Sequence, residues 1–234
     1  MMKRSMITMA LALAGVALWG QKDIALDDFN ALSATGNVKV YLAHGEKTNA
    51  QLYAEGIPED EVTVRVAQGI LRVASLNSFM YKDAVIKVYV TYTALDEIRA
   101  TAGAFVKAEA AISAAKLDVH AGSGAQVELA LEVQSLDASA SEGARLTLSG
   151  RAETQEASAA TGGQYQAGNL TTKKTYVRSH TGARAEVNAE EHLEISANTG
   201  GEVRYHGNPK NKYIKNVLGG DVKQIRKSSG DEEN

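Results

Sequence analysis

The sequence predicts an all-β protein: a right-handed parallel β-helix, or solenoid, with an irregular N-terminal β-strand section capping one end. Three observations carry that expectation. Glycines return at a near-constant interval through the second half, and two apolar columns keep step with them. The chain also lacks the Asn-Gly and Asp-Gly pairs that close tight two-residue hairpins.

The glycine series runs Gly103, Gly124, Gly143, Gly162, Gly182, Gly200 and Gly219, at spacings of 21, 19, 19, 20, 18 and 19 residues. Three residues after each stands Val106, Val127, Leu146, Tyr165, Ala185, Val203 or Val222; five before stands Ile98, Val119, Ala138, Ala157, Val177, Ile195 or Ile214. Stretches such as Leu117, Asp118, Val119 alternate apolar and polar residues, the period-two pattern of a strand with one buried face. Two short strands per repeat fit either a meander of hairpins or stacked coils. The missing hairpin dipeptides and the return of like residues once per repeat favour coils, in which like side chains form ladders. Parallel crossovers within a sheet are right-handed as a rule, which sets the expected hand. The glycines then serve coil corners, where positive φ or close approach by a neighbour is needed.

Before the repeats, residues 21–99 read as longer, less regularly spaced strands. Val38, Val40 and Leu42 alternate with Lys39 and Tyr41, and Val62, Val64 and Val66 with Thr63 and Arg65. A further strand covers Val85–Thr91, and a turn through Ala67, Gln68 and Gly69 makes a hairpin ahead of Ile70 and Leu71. This section is expected to cover one end of the helix, because a bare end exposes unpaired strand edges. Residues 100–226 form the coils, continuous with 21–99 as one domain.

At the N-terminus, Lys3 and Arg4 precede an apolar run from Met6 to Trp19, then Gly20 and the polar pair Gln21 and Lys22. That order matches a secretory signal peptide over residues 1–20, with the mature chain starting near Gln21. The run is too short to span a bilayer comfortably, and no second apolar run approaches that length, so the mature chain is expected to have no stable membrane insertion. The expected location is the periplasm, the outer-membrane surface or the extracellular space. Residues 227–234, charged and Ser-containing, read as a disordered tail.

Composition narrows the function classes. The chain has no cysteine, so an exported protein of this size depends on burial and hydrogen bonds rather than disulfides. Loss of Lys3 and Arg4 makes the formal charge of -3 more negative, and no clustered basic surface marks a nucleic-acid partner. The histidines His44, His120, His180, His192 and His206 lack zinc-site spacing, and no cofactor or metal is expected. No Gly-x-Ser-x-Gly turn, phosphate loop or dinucleotide fingerprint occurs. Asp118 and Asp137, with Glu156 and Glu194 at the same phase, could bind a cation or flank a sugar as in a polysaccharide lyase or hydrolase; a solvated face explains them as well. β-Helix enzymes place catalytic groups on long inserted loops, for which repeat spacings of 18 to 21 residues leave little room.

Several of these residues together carry a resemblance to a known family. Phe29, Leu32 and the stretch Gly36 to Val40, the hairpin with Gly69, Ile70 and Leu71, then Leu95, Ile98 and Gly103, occur in that order. Near the end, Tyr205, Gly207 and Pro209 match a Tyr-x-Gly-x-Pro signature. The chain resembles, from about Phe29 to Val222, the putative auto-transporter adhesin head GIN domain family, a domain of unknown function from exported proteins of Bacteroidetes. It departs in having Ala94 before Leu95 and in keeping the Gly-Ser-Gly pattern only at Gly122, Ser123 and Gly124. The resemblance implies a right-handed β-helix and an adhesin-like role.

The expected function is therefore a non-catalytic binding or scaffold module, with a carbohydrate-active β-helix enzyme as the alternative. Its expected partner is an extracellular glycan or protein, or a second copy of itself. The candidate binding residues are Ser123, Thr161, Thr181 and Thr199, small hydroxyl residues just before repeat glycines, which would make one corner ridge polar and uncluttered. Local backbone bonding in turns would account for them too.

Overall fold

The computed structural model describes residues 21–81 and 83–225; the expected signal peptide and the tail lie outside the described residues. The N-terminal strands are β1 (Gln21–Ala25), β2 (Ala31–Gly36), β3 (Lys39–His44), β4 (Asn49–Glu55), β5 (Thr63–Ala67), β6 (Ile70–Ser75) and β7 (Val85–Tyr92). After them come β8 (Glu97–Thr101), β9 (Phe105–Ala108), β10 (Ile112–Ala121), β11 (Gln126–Ala140), β12 (Arg145–Ala160) and β13 (Gln164–His180). The chain closes with β14 (Arg184–Asn198), β15 (Glu202–His206), β16 (Asn211–Val217) and β17 (Asp221–Gln224). From β8 onward every pairing is parallel, and each coil lies on the one before it, as in a β-solenoid.

Register turns the sequence period into columns. Ile98, Val119, Ala138, Ala157, Val177 and Ile195 are successive partners across six coils, and all are buried. The column Val106, Val127, Leu146, Tyr165, Ala185 and Val203 behaves likewise. Each fully buried Val, Leu or Ile contributes roughly 1.5–3 kcal/mol relative to exposure, so these columns are the main source of cohesion. The interior is not wholly apolar. Gln155, Thr172 and Thr175 are buried beside Tyr165; Gln155 Nε2 donates to the Tyr165 hydroxyl, and Thr175 Oγ1 donates to Gln155 Oε1 over 3.3 Å. Thr172 Oγ1, close to the Thr175 hydroxyl, donates to the Asn188 carbonyl at 2.9 Å.

The N-terminal section covers one end, but by a path that the sequence spacing does not show. β2 pairs in parallel with both β6 and β8, and β3 with both β7 and β9. The coil made by β2 and β3 therefore lies between the β6–β7 coil and the β8–β9 coil, out of chain order. Three antiparallel strands then close the end: β5 covers β6, β4 covers β7, and β1 covers β4. They pair edges that would otherwise offer unsatisfied backbone groups.

The opposite end is finished differently. Among the described residues no strand pairs with the outer edges of β16 and β17. Lys212 and Asn216 occupy positions held by buried Leu193 and Ala197 one coil earlier. Lys212 Nζ donates to the Tyr205 hydroxyl at 3.0 Å, and such a charge pointing along a terminal coil opposes further strand addition. Ile214 and Val222, the last members of the two apolar columns, are more exposed than their predecessors for want of a coil beyond them.

Candidate functional site

The coil corners are two-residue turns in which both residues have positive φ. The pairs are Ala102–Gly103, Ser123–Gly124, Glu142–Gly143, Thr161–Gly162, Thr181–Gly182, Thr199–Gly200 and Leu218–Gly219. The next residue donates its N–H back across the turn, as Ala125 does to Gly122 O and Ala183 to His180 O. Corner glycines also donate to the following coil: Gly124 N–H to Glu142 O at 3.0 Å and Gly162 N–H to Thr181 O at 3.1 Å. The corners are thus stitched into a ridge along the solenoid.

Ser123, Thr161, Thr181 and Thr199 all lie exposed on this ridge. The three threonines occupy consecutive coils, whereas Glu142 separates Ser123 from Thr161 and accepts a 2.5 Å hydrogen bond from Ser123 Oγ. Thr181 Oγ1 lies 3.2 Å from His180 Nδ1. A β-branched residue at φ of 48°, 54° or 48°, as at Thr161, Thr181 and Thr199, is sterically disfavoured, because the left-handed region crowds Cβ against the carbonyl. Strain of this kind costs of order 1–3 kcal/mol per residue and collects where function requires it. Thr181→Asn, which tolerates the same φ, should raise stability by about 1 kcal/mol and increase the melting temperature. A fall in melting temperature would show that the threonine side chain contributes to folding.

The carboxylates marked in the sequence are brought together only in part. Glu97, Asp118, Asp137 and Glu156 are successive partners on one outer face, but Tyr176 stands between Glu156 and Glu194. Lys116 lies 3.0 Å from Asp118, and Arg178 joins Asp137, Glu156, Tyr176 and Glu194 around a depression of about 160 Å³. Among the described residues no group of three or more His, Asp or Glu side chains is arranged to hold a metal ion. His192 lies between Tyr176 and Tyr213, with ring centroids 5.4 and 5.7 Å away. His120 Nδ1 is 2.8 Å from Ser139 Oγ.

One pair was invisible in the sequence. His206 Nε2 and Glu186 Oε1, from neighbouring coils, are 2.7 Å apart. The repeat period does not set them opposite each other: in the β14–β15 ladder Glu186 faces Arg204 and His206 faces Asn188, so the pair meets on the diagonal.

The fold and these columns can be set beside known proteins. A putative adhesin from Bacteroides fragilis, 23% identical, has a TM-score of 0.77, the match covering 88% of this chain and 96% of that one. A putative adhesin from Parabacteroides merdae gives 20% identity and a TM-score of 0.70 over the same shares. A putative lipid binding protein from Parabacteroides distasonis gives 13% and 0.66, again with 88% and 96% covered. These likenesses establish the fold. No curated protein matches the sequence. Among the described residues no helix is long and apolar enough to cross a membrane. Residues 28–209 match the family described as "Putative auto-transporter adhesin, head GIN domain", and the chain belongs to that family.

Proposed function

We propose that this chain is an exported, non-catalytic binding module that holds an extracellular glycan, a protein or a second copy of itself on the exposed columns of its coils. The observation that carries this reading is the ridge of Thr161, Thr181 and Thr199. Three disfavoured backbone positions filled by hydroxyl residues on successive coils present a repeating polar edge, on which weak contacts to a repetitive partner can add up. Family membership supports an external partner, and residues 1–20 support export.

Lipid binding, the description of one structural neighbour, would need apolar space. Here the coil interior is occupied by side chains such as Leu136, Leu146 and Tyr165, so the outer surface is the better candidate for any ligand.

The test is an array of immobilised glycans and matrix proteins probed with the mature chain and with Thr161→Lys/Thr181→Lys/Thr199→Lys. The expected result is binding by the parent chain and a loss of about tenfold in the variant, the scale of one or two lost hydrogen bonds. Binding that survives all three changes removes the ridge from the account. Cleavage of any polysaccharide, abolished by Asp118→Asn or Asp137→Asn, would replace the reading with the enzymatic one.

A further inference from the structure

We infer that a cleft beside the irregularity in β13 is a binding site for a neutral saccharide. This rests on the external-partner reading and adds to it a site away from the corner ridge.

The cleft arises from a mismatch between neighbouring coils. β13 advances from Gln166 to Thr171 while its partner β14 advances only from Glu186 to Asn188. Ala167 and Gly168 leave the ladders on both sides, while Asn169 and Leu170 still pair with Ser149 and Gly150 of β12 but not with β14, and such bulges re-aim side chains and often border functional sites. Gly168 and Asn169 form one wall. Asn188 and His206 continue the column below Thr171, and Gly207, Asn208, Gln224 and Ile225 close the far side. The open cleft has a volume of about 900 Å³, within the usual range for small-molecule sites.

Two glycines shape this cleft, Gly207 through its backbone and Gly168 through the side chains it lets approach. A Cβ on Gly168 would lie 2.4 Å from Glu186 Oε1 and 3.1 Å from His206 Nε2, so only glycine lets the Glu186–His206 pair lie across the wall. Gly207 has φ of +89°, and a Cβ there would lie 2.1 Å from the Ala189 carbonyl oxygen. The Tyr-x-Gly-x-Pro signature thereby acquires a physical role. Tyr205 is buried, its hydroxyl meets Gln224 Oε1 at 3.3 Å, and Gln224 Nε2 donates to the Gly207 carbonyl at 2.9 Å. The motif ties the last coil to the cleft wall.

The lining selects the ligand class. Asn169, Asn188 and Asn208 offer amides that both donate and accept, Thr171 offers a hydroxyl, and Glu186 offers a carboxylate oriented by His206. Among the described residues no Lys or Arg lines this cleft, and the Glu186 carboxylate faces into it, a lining that favours an uncharged ligand over a phosphate, sulfate or uronate. Paired amide and carboxylate groups suit vicinal hydroxyls, and Ile225 offers an apolar surface for the C–H side of a sugar ring.

The experiment is calorimetric titration of the full mature chain with cellohexaose, maltohexaose and chitohexaose, and with trigalacturonate and a heparin hexasaccharide for contrast. Three proteins are compared: the parent, Asn188→Ala, and Gly168→Ala, whose new Cβ displaces the flexible Glu186 side chain rather than backbone; circular dichroism checks their folding. The expected result is binding of at least one neutral oligosaccharide, weakened about tenfold in both cleft variants and unchanged in the triple threonine variant. Neutral binding that persists in both cleft variants overturns the cleft and leaves the external-partner reading standing. Failure of the parent to bind any neutral probe, or binding of the acidic probes alone, overturns the saccharide assignment, while the protein arm of the array still judges the broader reading.

Discussion

Replacing Tyr165 by alanine should lower the unfolding free energy by about 4 kcal/mol, the middle of the range for removing a large aromatic core side chain. Tyr165 is among the largest side chains that the coil interior encloses fully, and its partners on either side, Leu146 and Ala185, belong to strands fixed by their own ladders. The walls cannot collapse into the space. The change also leaves Gln155 Nε2 without its hydroxyl partner in a buried setting. Tyr165→Phe separates the two effects: ring volume is kept and the orphaned amide alone should cost about 1–3 kcal/mol. Chemical denaturation of both variants measures the difference. Equal losses would mean that the hydrogen bond carries all of the effect.

Burial also pushes the Tyr165 phenol above its ordinary pKa, an effect that the hydrogen bond from Gln155 only partly offsets. The sign of the resulting pH dependence is fixed. The unfolded chain loses this proton near pH 10 while the folded one retains it, so the contribution of Tyr165 is complete below about pH 10 and declines as pH rises further.

Gly201→Val should be among the most damaging of the glycine substitutions at a corner, costing about 3 kcal/mol or more through overpacking against immovable atoms. A Cβ at Gly201 would lie 2.2 Å from Ser179 O, 2.5 Å from its carbonyl carbon and 2.8 Å from His180 N, all of them backbone. Relief would require one coil to move off the next. Gly124→Val is the instructive comparison, because a Cβ there meets nothing within 4 Å and only the φ of +73° opposes it. Its cost should be about 1–2 kcal/mol. Glu128→Val, which removes the exposed 3.1 Å contact with Lys107, should cost less than about 1 kcal/mol. Thermal melts of the three variants should rank in that order. Gly124→Val melting with or below Gly201→Val would place the strain in φ rather than in inter-coil contact.

The sequence revealed the coils because each must bury the same face, which repeats apolar residues such as Val119, Ala138 and Ala157 at a fixed interval. It revealed the ridge for the same reason: Thr161, Thr181 and Thr199 keep one phase against their glycines. That the residue before each glycine is also left-handed was not legible. Alanine, serine, glutamate, threonine and leucine all occupy that position here, without the Asn or Asp that usually signals such a turn. The insertion of β2 and β3 between later coils was hidden because the one match that marks it, Leu32, Ala34 and Thr35 against Ile98, Ala100 and Thr101, lies outside the constant interval of the glycine series. Gln155 was legible only through its phase: it continues the column of Leu117, Leu136 and Leu193, whereas its residue type alone suggests an outward side chain. The cleft was hidden by a two-part displacement: the spacing of 20 residues from Gly162 to Gly182, followed by 18 to Gly200, reads as noise until the bulge in β13 explains it.

Ridge and cleft both depend on one claim, that exposed residues one repeat apart face each other across parallel coils. Disulfide trapping of Ser139→Cys/Ser158→Cys tests it directly, in a chain that has no cysteine of its own. The two serines are direct partners in the parallel register of β11 and β12. Neighbouring strands are about 4.8 Å apart, within the Cα separation that a disulfide accepts. Mild oxidation should close this bond in the folded protein while the control pair Gln126→Cys/Ser158→Cys, which an antiparallel arrangement would bring together, stays reduced. Oxidation of the control pair instead of the Ser139/Ser158 pair would contradict the stacked coils and remove both sites with them.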